Sequence, residues 1–218
     1  MSLPFKDRTD AGRQLARKLQ QYRGNPAVVV LALPRGGVPV AFQVAEALEA
    51  PLDIFLVRKL GVPGHQELAL GAIASGGVRV LNHDVLYMCG IEERSVDAIV
   101  EREQRELERR ECAYREGRSA FDVEDRIVIL IDDGLATGAS MLAAARAMRK
   151  LRPQKLIVAV PVAAPGACGH FQREVDEIVC AETPRPFEAV GQWYEDFTQT
   201  SDEEVRDLLA LAEAQTEK

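Results

Sequence analysis

Five short apolar runs punctuate the chain: 27–33 (AVVVLAL), 52–57 (LDIFLV), 127–131 (IVILI), 156–162 (LIVAVPV) and 175–180 (VDEIVC). Most are rich in valine and isoleucine, whose branched side chains suit extended backbone. The first, third and fourth are nearly continuous rather than alternating, as strands read when both faces of a parallel sheet are covered. Between the runs the period lengthens. Val40, Val44 and Leu48 share one face of 37–50, and Met141, Ala145 and Met148 share one face of 139–151. Residues 10–22 carry a third amphipathic pattern. Strands alternating with helices predict βαβ units. The expected fold is α/β, a doubly wound and mainly parallel sheet of about five strands with helices on both faces.

Residues 58–126 break this rhythm. Their first part, RKLGVPGHQELALGAIASGG, is glycine-rich and reads as a mobile loop. VRVLNHDVL follows and can pair as a strand, giving a small antiparallel ribbon. The charged stretch 92–116 reads as one long helix with Val96, Ile99, Val100 and Leu107 on its apolar side. The tail, 181–218, holds a proline-broken loop (TPRPF), an aromatic cluster and a final acidic helix. The length of 218 residues fits a single domain spanning 1–218, with 58–126 as a lid-and-helix insertion and 181–218 as a hood.

Composition narrows the partners. Hydrophobic residues are 47% of the chain and charged residues 28%, which argues against global disorder. The net charge of −7 offers no broad cationic field for nucleic acid or anionic lipid, although a small basic pocket for a small anion remains open. In 92–116 the glutamates offset the arginines, so this segment reads as a salt-bridged exposed helix or a dimer surface, which leaves a homo-oligomer open. Cys89, Cys112, Cys168 and Cys180 are scattered without C-x-x-C spacing, which gives little support to a zinc site and fits thiols in a reducing compartment. The N-terminal residues are too charged for a signal peptide, and no apolar run approaches the ~20 residues of a membrane span. A cytoplasmic location is the expectation.

The strongest chemical signal follows the run 127–131. Asp132 and Asp133 close an apolar strand, and the small-residue string Gly134-Leu135-Ala136-Thr137-Gly138-Ala139-Ser140 turns the chain into a helix. Ligands of open α/β sheets bind at the carboxyl ends of strands. Small residues let backbone amides approach an anion, and the helix start turns its positive dipole end to the same place. Ionised carboxylates only accept hydrogen bonds, so the acidic pair suits sugar hydroxyls. A phosphorylated ribose satisfies both halves. No lysine follows the glycines as in a Walker A loop, and neither G-x-G-x-x-G nor G-x-S-x-G is present.

This string resembles the signature of the type I phosphoribosyltransferases, and the resemblance covers residues 25–180 in layout. It implies 5-phosphoribosyl-1-pyrophosphate (PRPP) as ligand, with Mg²⁺, and transfer of the phosphoribosyl group to a nitrogenous acceptor such as a nucleobase. It places the 5′-phosphate on 134–140 and the ribose hydroxyls on Asp132 and Asp133, which would act on the metal only through PRPP or water. By the same resemblance Arg35, Gly36 and Gly37, after the run 27–33, would receive the pyrophosphate. Arg58 and Lys59, after 52–57, would neutralise it as it leaves, and 60–77 would close as a lid. Glu67 and His65 lie in this segment, where either could reach the nucleophile or face solvent. Trp193 and Tyr194 would stack on a planar acceptor or simply anchor the tail. Two positions depart from family members. Ala136 stands where those acting on 6-oxopurines carry an acidic base, and Val62 follows Gly61 where many lids carry lysine. The string looks closer to the adenine and orotate branch. The alternative is a module that binds PRPP without turning it over.

Overall fold

The computed structural model describes residues 3–62, 65–89, 93–171 and 173–216, with the side chains at 62–69, 83, 93–95, 170 and 216 excepted. Its centre is a five-stranded, all-parallel sheet in the order β2-β1-β6-β7-β8. The strands are β1 (Val28–Ala32), β2 (Leu52–Ile54), β6 (Ile127–Ile131), β7 (Lys155–Val162) and β8 (Glu177–Glu182). Alternate residues of β1 enter different cores. Val28, Val30 and Ala32 pack with α1 (Arg8–Lys18) and α2 (Gly37–Leu48), whereas Val29 and Leu31 pack with α5 (Ala139–Lys150). Both faces are therefore buried, which is why the run shows no alternation.

This double winding creates the binding crevice. The chain leaves β1 into α2 on one face and leaves β6 into α5 on the other. The two strands are neighbours in register, Val28 opposite Ile127 through Ala32 opposite Ile131. Helices diverging from adjacent parallel strands open a cleft at the strand ends. Leu33 N–H donates to the Ile131 carbonyl at 2.8 Å, holding the two following loops side by side.

The expected antiparallel ribbon is present, and most of the segment 58–77, read as a loop beside it, is part of it. β3 (Val57–Val62), β4 (His65–Ala74) and β5 (Val78–Leu81) form a second, antiparallel sheet that packs on α5. The run 52–57 is split: β2 ends at Ile54 and β3 starts at Val57. Arg58 and Lys59 thus lie within a strand of this sheet, not at the end of a strand of the parallel one. The short helix α3 (His83–Met88) follows, then the long helix α4 (Glu93–Arg115), close to the span its pattern predicts. α4 packs against β3, β4 and the C-terminal helix α6 (Asp202–Thr216), with Val96 and Leu107 buried. Its last residue, Arg115, is buried against Asp53 at 3.1 Å and donates to the Ile54 carbonyl at 3.0 Å, tying α4 to β2.

The cysteines also differ from expectation. Cys168, in the 3-10 turn Ala167–Phe171, is joined to Cys180 of β8 by a disulfide, whereas Cys89 and Cys112 are free and exposed. Among the described residues no helix is long and apolar enough to cross a membrane.

Candidate functional site

The loop after β1 rests on the acidic pair. Gly37 N–H donates to the Leu33 carbonyl at 3.1 Å and Val38 N–H to the Arg35 carbonyl at 3.1 Å, folding Pro34–Gly37 into the first turn of α2. The Pro34–Arg35 peptide is cis. A side chain at position 36 would run into the Asp133 carboxylate. A Cβ on Gly37 would lie 2.8 Å from the Ile131 carbonyl oxygen and 3.0 Å from Asp132 Cα. The contacts at Gly37 are with backbone, so this close approach requires glycine there, whereas at position 36 the obstacle is the Asp133 side chain.

The loop after β6 is pinned in its middle and open at its end. Leu135 is buried, with its N–H on the Val162 carbonyl at 2.9 Å and its carbonyl receiving Ala164 N–H at 2.7 Å. Gly138, at φ 73°, makes the left-handed step into α5, and its α-carbon faces the Phe171 ring. Ala136, Thr137, Ala139 and Ser140 are exposed. The first-turn amides of a helix have no intrahelical acceptor, so this end of α5 presents donors to the cleft. Thr137 Oγ1 accepts weakly from Ala139 N–H at 3.4 Å.

Asp132 and Asp133 differ in their surroundings. Asp132 Oδ1 accepts the Asp133 amide at 2.8 Å. Burial, together with the Asp133 charge, pushes its carboxyl well above the usual carboxylate range. Asp133 is also raised by burial, but the Arg8 guanidinium works against this, donating from Nε to Oδ2 at 2.9 Å. Arg8 is itself held in place. Its Nη1 donates to the Thr198 carbonyl at 2.7 Å, and its guanidinium lies 4.0 Å from the centre of the Phe197 ring. The sequence reading missed Arg8; the only local signal was Asp7, whose carboxylate caps α1 by accepting Asp10 N–H at 2.7 Å.

Tyr194 sits beneath the pair. It is buried against Phe5 and donates its hydroxyl to the Asp133 carbonyl at 2.6 Å; burial and the nearby carboxylates hold its phenol protonated. Its hydrogen bond goes to the site's backbone, so Tyr194 buttresses the acidic loop, in keeping with the anchoring alternative for this residue. Trp193 packs on Phe187 with ring centres 6.2 Å apart. The hood has two parts, because the N-terminal segment joins it: Phe5 N–H donates to the Trp193 carbonyl, and Glu195 N–H to the Phe5 carbonyl, each at 2.8 Å.

A cavity of about 390 Å³ opens at the first loop, lined by Pro34, Arg35, Phe55, Arg58, Asp132 and Ser140. Arg109, Arg110 and Tyr114 of α4 and Asp202 of α6 also line it. The sequence suggests a salt-bridged exposed helix or a dimer surface for the α4 residues and no site role for Asp202. Arg58 reaches the cavity but is engaged by α4, donating from Nε to Glu103 at 2.7 Å. Lys59 instead lines a neighbouring cavity of about 710 Å³ between the antiparallel sheet and α5. The structure thus brings Arg35, Arg58, Asp132 and Ser140 to one cavity and Lys59 to the neighbouring one, which Ala139 and Ser140 also line. The side chain of Glu67 lies outside the described residues.

The geometry combines the open start of α5, an adjacent pair of carboxylates and a cavity lined by arginines, all at the carboxyl edge of β1 and β6. The sequence is 51% identical over 208 residues to proteins of Mycobacterium tuberculosis strains CDC 1551 and H37Rv, both provisionally named phosphoribosyl transferases. The match covers 95% of this chain and 47% of theirs, so the chain spans about half the length of these curated relatives. The crystal structure of TT1426 from Thermus thermophilus superposes with a TM-score of 0.84 at 42% identity, covering 94% of this chain and 97% of that one. The family model of the phosphoribosyl transferase domain matches residues 5–190, and the chain belongs to that family.

Proposed function

We propose that the protein transfers the phosphoribosyl group of PRPP to a nitrogen nucleophile of the nucleobase kind, releasing pyrophosphate. The observation that carries this reading is the Pro34–Gly37 loop lying directly on the Asp132–Asp133 pair beside the open end of α5. Three groups with different demands then meet within one crevice. Residues 134–140 hold the 5′-phosphate, Asp132 and Asp133 accept the ribose hydroxyls, and Arg35 with the backbone of Gly36 and Gly37 receives the pyrophosphate.

In the reaction the bond from ribose C1 to the pyrophosphate oxygen breaks and the electron pair leaves with the oxygen. The nucleophile forms the new bond to C1 and gives up its proton. Positive charge that grows on the ribose is favoured by the two carboxylates at its hydroxyls. Their burial raises the cost of ionisation in the empty protein, and a ligand that brings positive charge and O–H donors offsets that cost. Arg58 can assist at the leaving group only by giving up part of its hold on Glu103. Glu67 on β4 is the candidate from the hairpin for contact with the nucleophile.

The donor set fits Mg²⁺ delivered with the diphosphate. Among the described residues no three His, Cys, Asp or Glu side chains gather into a cage for a metal ion. Asp132 and Asp202 reach the open cavity beside Arg35, leaving room for the waters that Mg²⁺ retains. When bound, the ion withdraws negative charge from the leaving group.

The test is pyrophosphate release from PRPP and Mg²⁺ across a panel of nucleobases. Acceptor-dependent release is expected. Tight PRPP binding with no release for any acceptor would mean a sensor, and no PRPP binding would refute the assignment.

Arg8 provides a finer check. Its charge lowers both carboxyls of the pair, so Arg8→Gln raises them further. The affinity for ribose 5-phosphate should rise with pH as the pair loses its protons. In Arg8→Gln that rise is expected at higher pH than in the parent protein, with partial return in Arg8→Lys. Superimposed titration curves from calorimetry would show that Arg8 does not set the charge of Asp133.

A further inference from the structure

Four guanidiniums line the cavity in front of Arg35, and two of them come from α4, outside the parallel-sheet framework: Arg35, Arg58, Arg109 and Arg110. Their protein partners are few. Arg109 donates to Glu106 from Nε at 2.8 Å and from Nη2 at 3.0 Å, and Arg110 Nε donates to the same carboxylate at 2.9 Å. Arg58 also approaches Glu106, at 3.9 Å. The hydrogen bonds from Arg109 and Arg110 hold Glu106 far below the usual carboxylate range, at about 2. On the other side Asp202 lies 3.7 Å from Arg35 and accepts the Tyr114 hydroxyl at 2.7 Å. Of the carboxylates that hold these arginines, Glu103 on Arg58 is largely buried, Glu106 is partly exposed, and Asp202, which lines the cavity, is exposed.

Among the described hydrogen bonds Glu106 takes only Nε and Nη2 of Arg109 and Nε of Arg110. Contacts between guanidinium and a phosphate group are strong and often two-pronged. A diphosphate entering the cavity can therefore engage the donors that Glu106 does not take. We propose that Arg109 and Arg110 of α4 are leaving-group ligands, which bind the pyrophosphate moiety in the cavity that Arg35 also lines. This rests on the PRPP reading given above and adds two residues to it. It also explains the placement of α4. Buried Val96 and Leu107 and the Arg115–Asp53 anchor fix the helix against β3 and β2, so that its C-terminal half faces the cavity.

The experiment is calorimetric titration with inorganic pyrophosphate and, separately, with ribose 5-phosphate, both with Mg²⁺ present. The protein carries Arg109→Gln and Arg110→Gln together. Arg105→Gln, an exposed arginine of the same helix paired with Glu101 at 3.6 Å, serves as the charge control. Pyrophosphate affinity is expected to fall by roughly 30-fold or more in the double variant, given the strength of hydrogen bonds to charged groups. Ribose 5-phosphate affinity should stay within about twofold, and the corresponding double lysine variant should recover part of the loss, keeping the charge without the fork. Arg105→Gln should bind both ligands as the parent does. Unchanged pyrophosphate affinity, an equal loss for both ligands, or an equal loss in Arg105→Gln would overturn the proposal. A parent protein that binds pyrophosphate through these arginines but not ribose 5-phosphate would sink the PRPP reading and leave the arginine site standing.

Discussion

Converting Asp132 and Asp133 together to Asn is expected to abolish measurable affinity for Mg²⁺-PRPP while the chain stays folded. Each carboxylate loses the charge that strengthens its bonds to ribose hydroxyls, worth about 1.5–3 kcal/mol apiece, so the pair accounts for a factor of roughly 10² to 10⁴. The single variants should differ in stability. Asp132 is raised mainly by burial, so its ionised form is a cost to the folded state. A carboxyl whose folded pKa lies above its unfolded value is free of that cost below the unfolded pKa and bears it fully above the folded one. Asp132→Asn, which can keep its bond to the Asp133 amide, should therefore hold or raise Tm, most visibly at alkaline pH. Asp133→Asn leaves the guanidinium of Arg8, whose side chain is only 11% exposed, without its carboxylate. That variant should lower Tm. Calorimetric binding and scanning calorimetry measure both effects, and unchanged PRPP binding in the double variant would remove the ribose role from the pair.

The second large effect is expected from Gly37→Ala. The added methyl meets the Ile131 carbonyl at 2.8 Å and Asp132 Cα at 3.0 Å, both backbone atoms of the adjoining strand end. No flexible side chain can turn aside, so the Pro34–Gly37 loop must lift away from the acidic pair. Overpacking of this kind costs about 1–3 kcal/mol, which for a chain of this size lowers Tm by roughly 2–12 °C. Binding of pyrophosphate should be lost in the same variant, because the loop that presents Arg35 has moved. Gly169→Ala is the control, since a methyl there meets nothing within 4 Å. If Gly37→Ala matches that control in both Tm and pyrophosphate affinity, the close packing of the two loops has no functional weight.

The parts of the fold that could be read from residue order are those whose neighbours are dictated by burial. β1, β6 and β7 announce themselves because both their faces are covered, and the Asp132–Ser140 string is recognisable because strand, acidic pair and helix start are contiguous. The break between Ile54 and Val57 is invisible in the same terms. Phe55 and Leu56 are as apolar and buried as the strands on either side, yet the chain changes sheets there and carries Arg58 and Lys59 with it. Arg8 was illegible for a different reason: its partner is 125 residues away. In α4, pairs such as Glu106 with Arg110 have the same spacing whether the helix faces water or a cavity. The disulfide between Cys168 and Cys180 depends on how the turn after β7 meets β8, which spacing alone does not determine.

The joining of Phe5 to Trp193 and Glu195 has a practical consequence for engineering. Trimming the first several residues, a routine step when adding purification handles, would remove the pairing that steadies Tyr194 and the helix start that aims Arg8 at Asp133. Such a deletion would perturb the candidate site from a distance, much as a point mutation there would. Circular permutants are better opened at Gly117, in an exposed turn, than anywhere between Phe5 and Arg8.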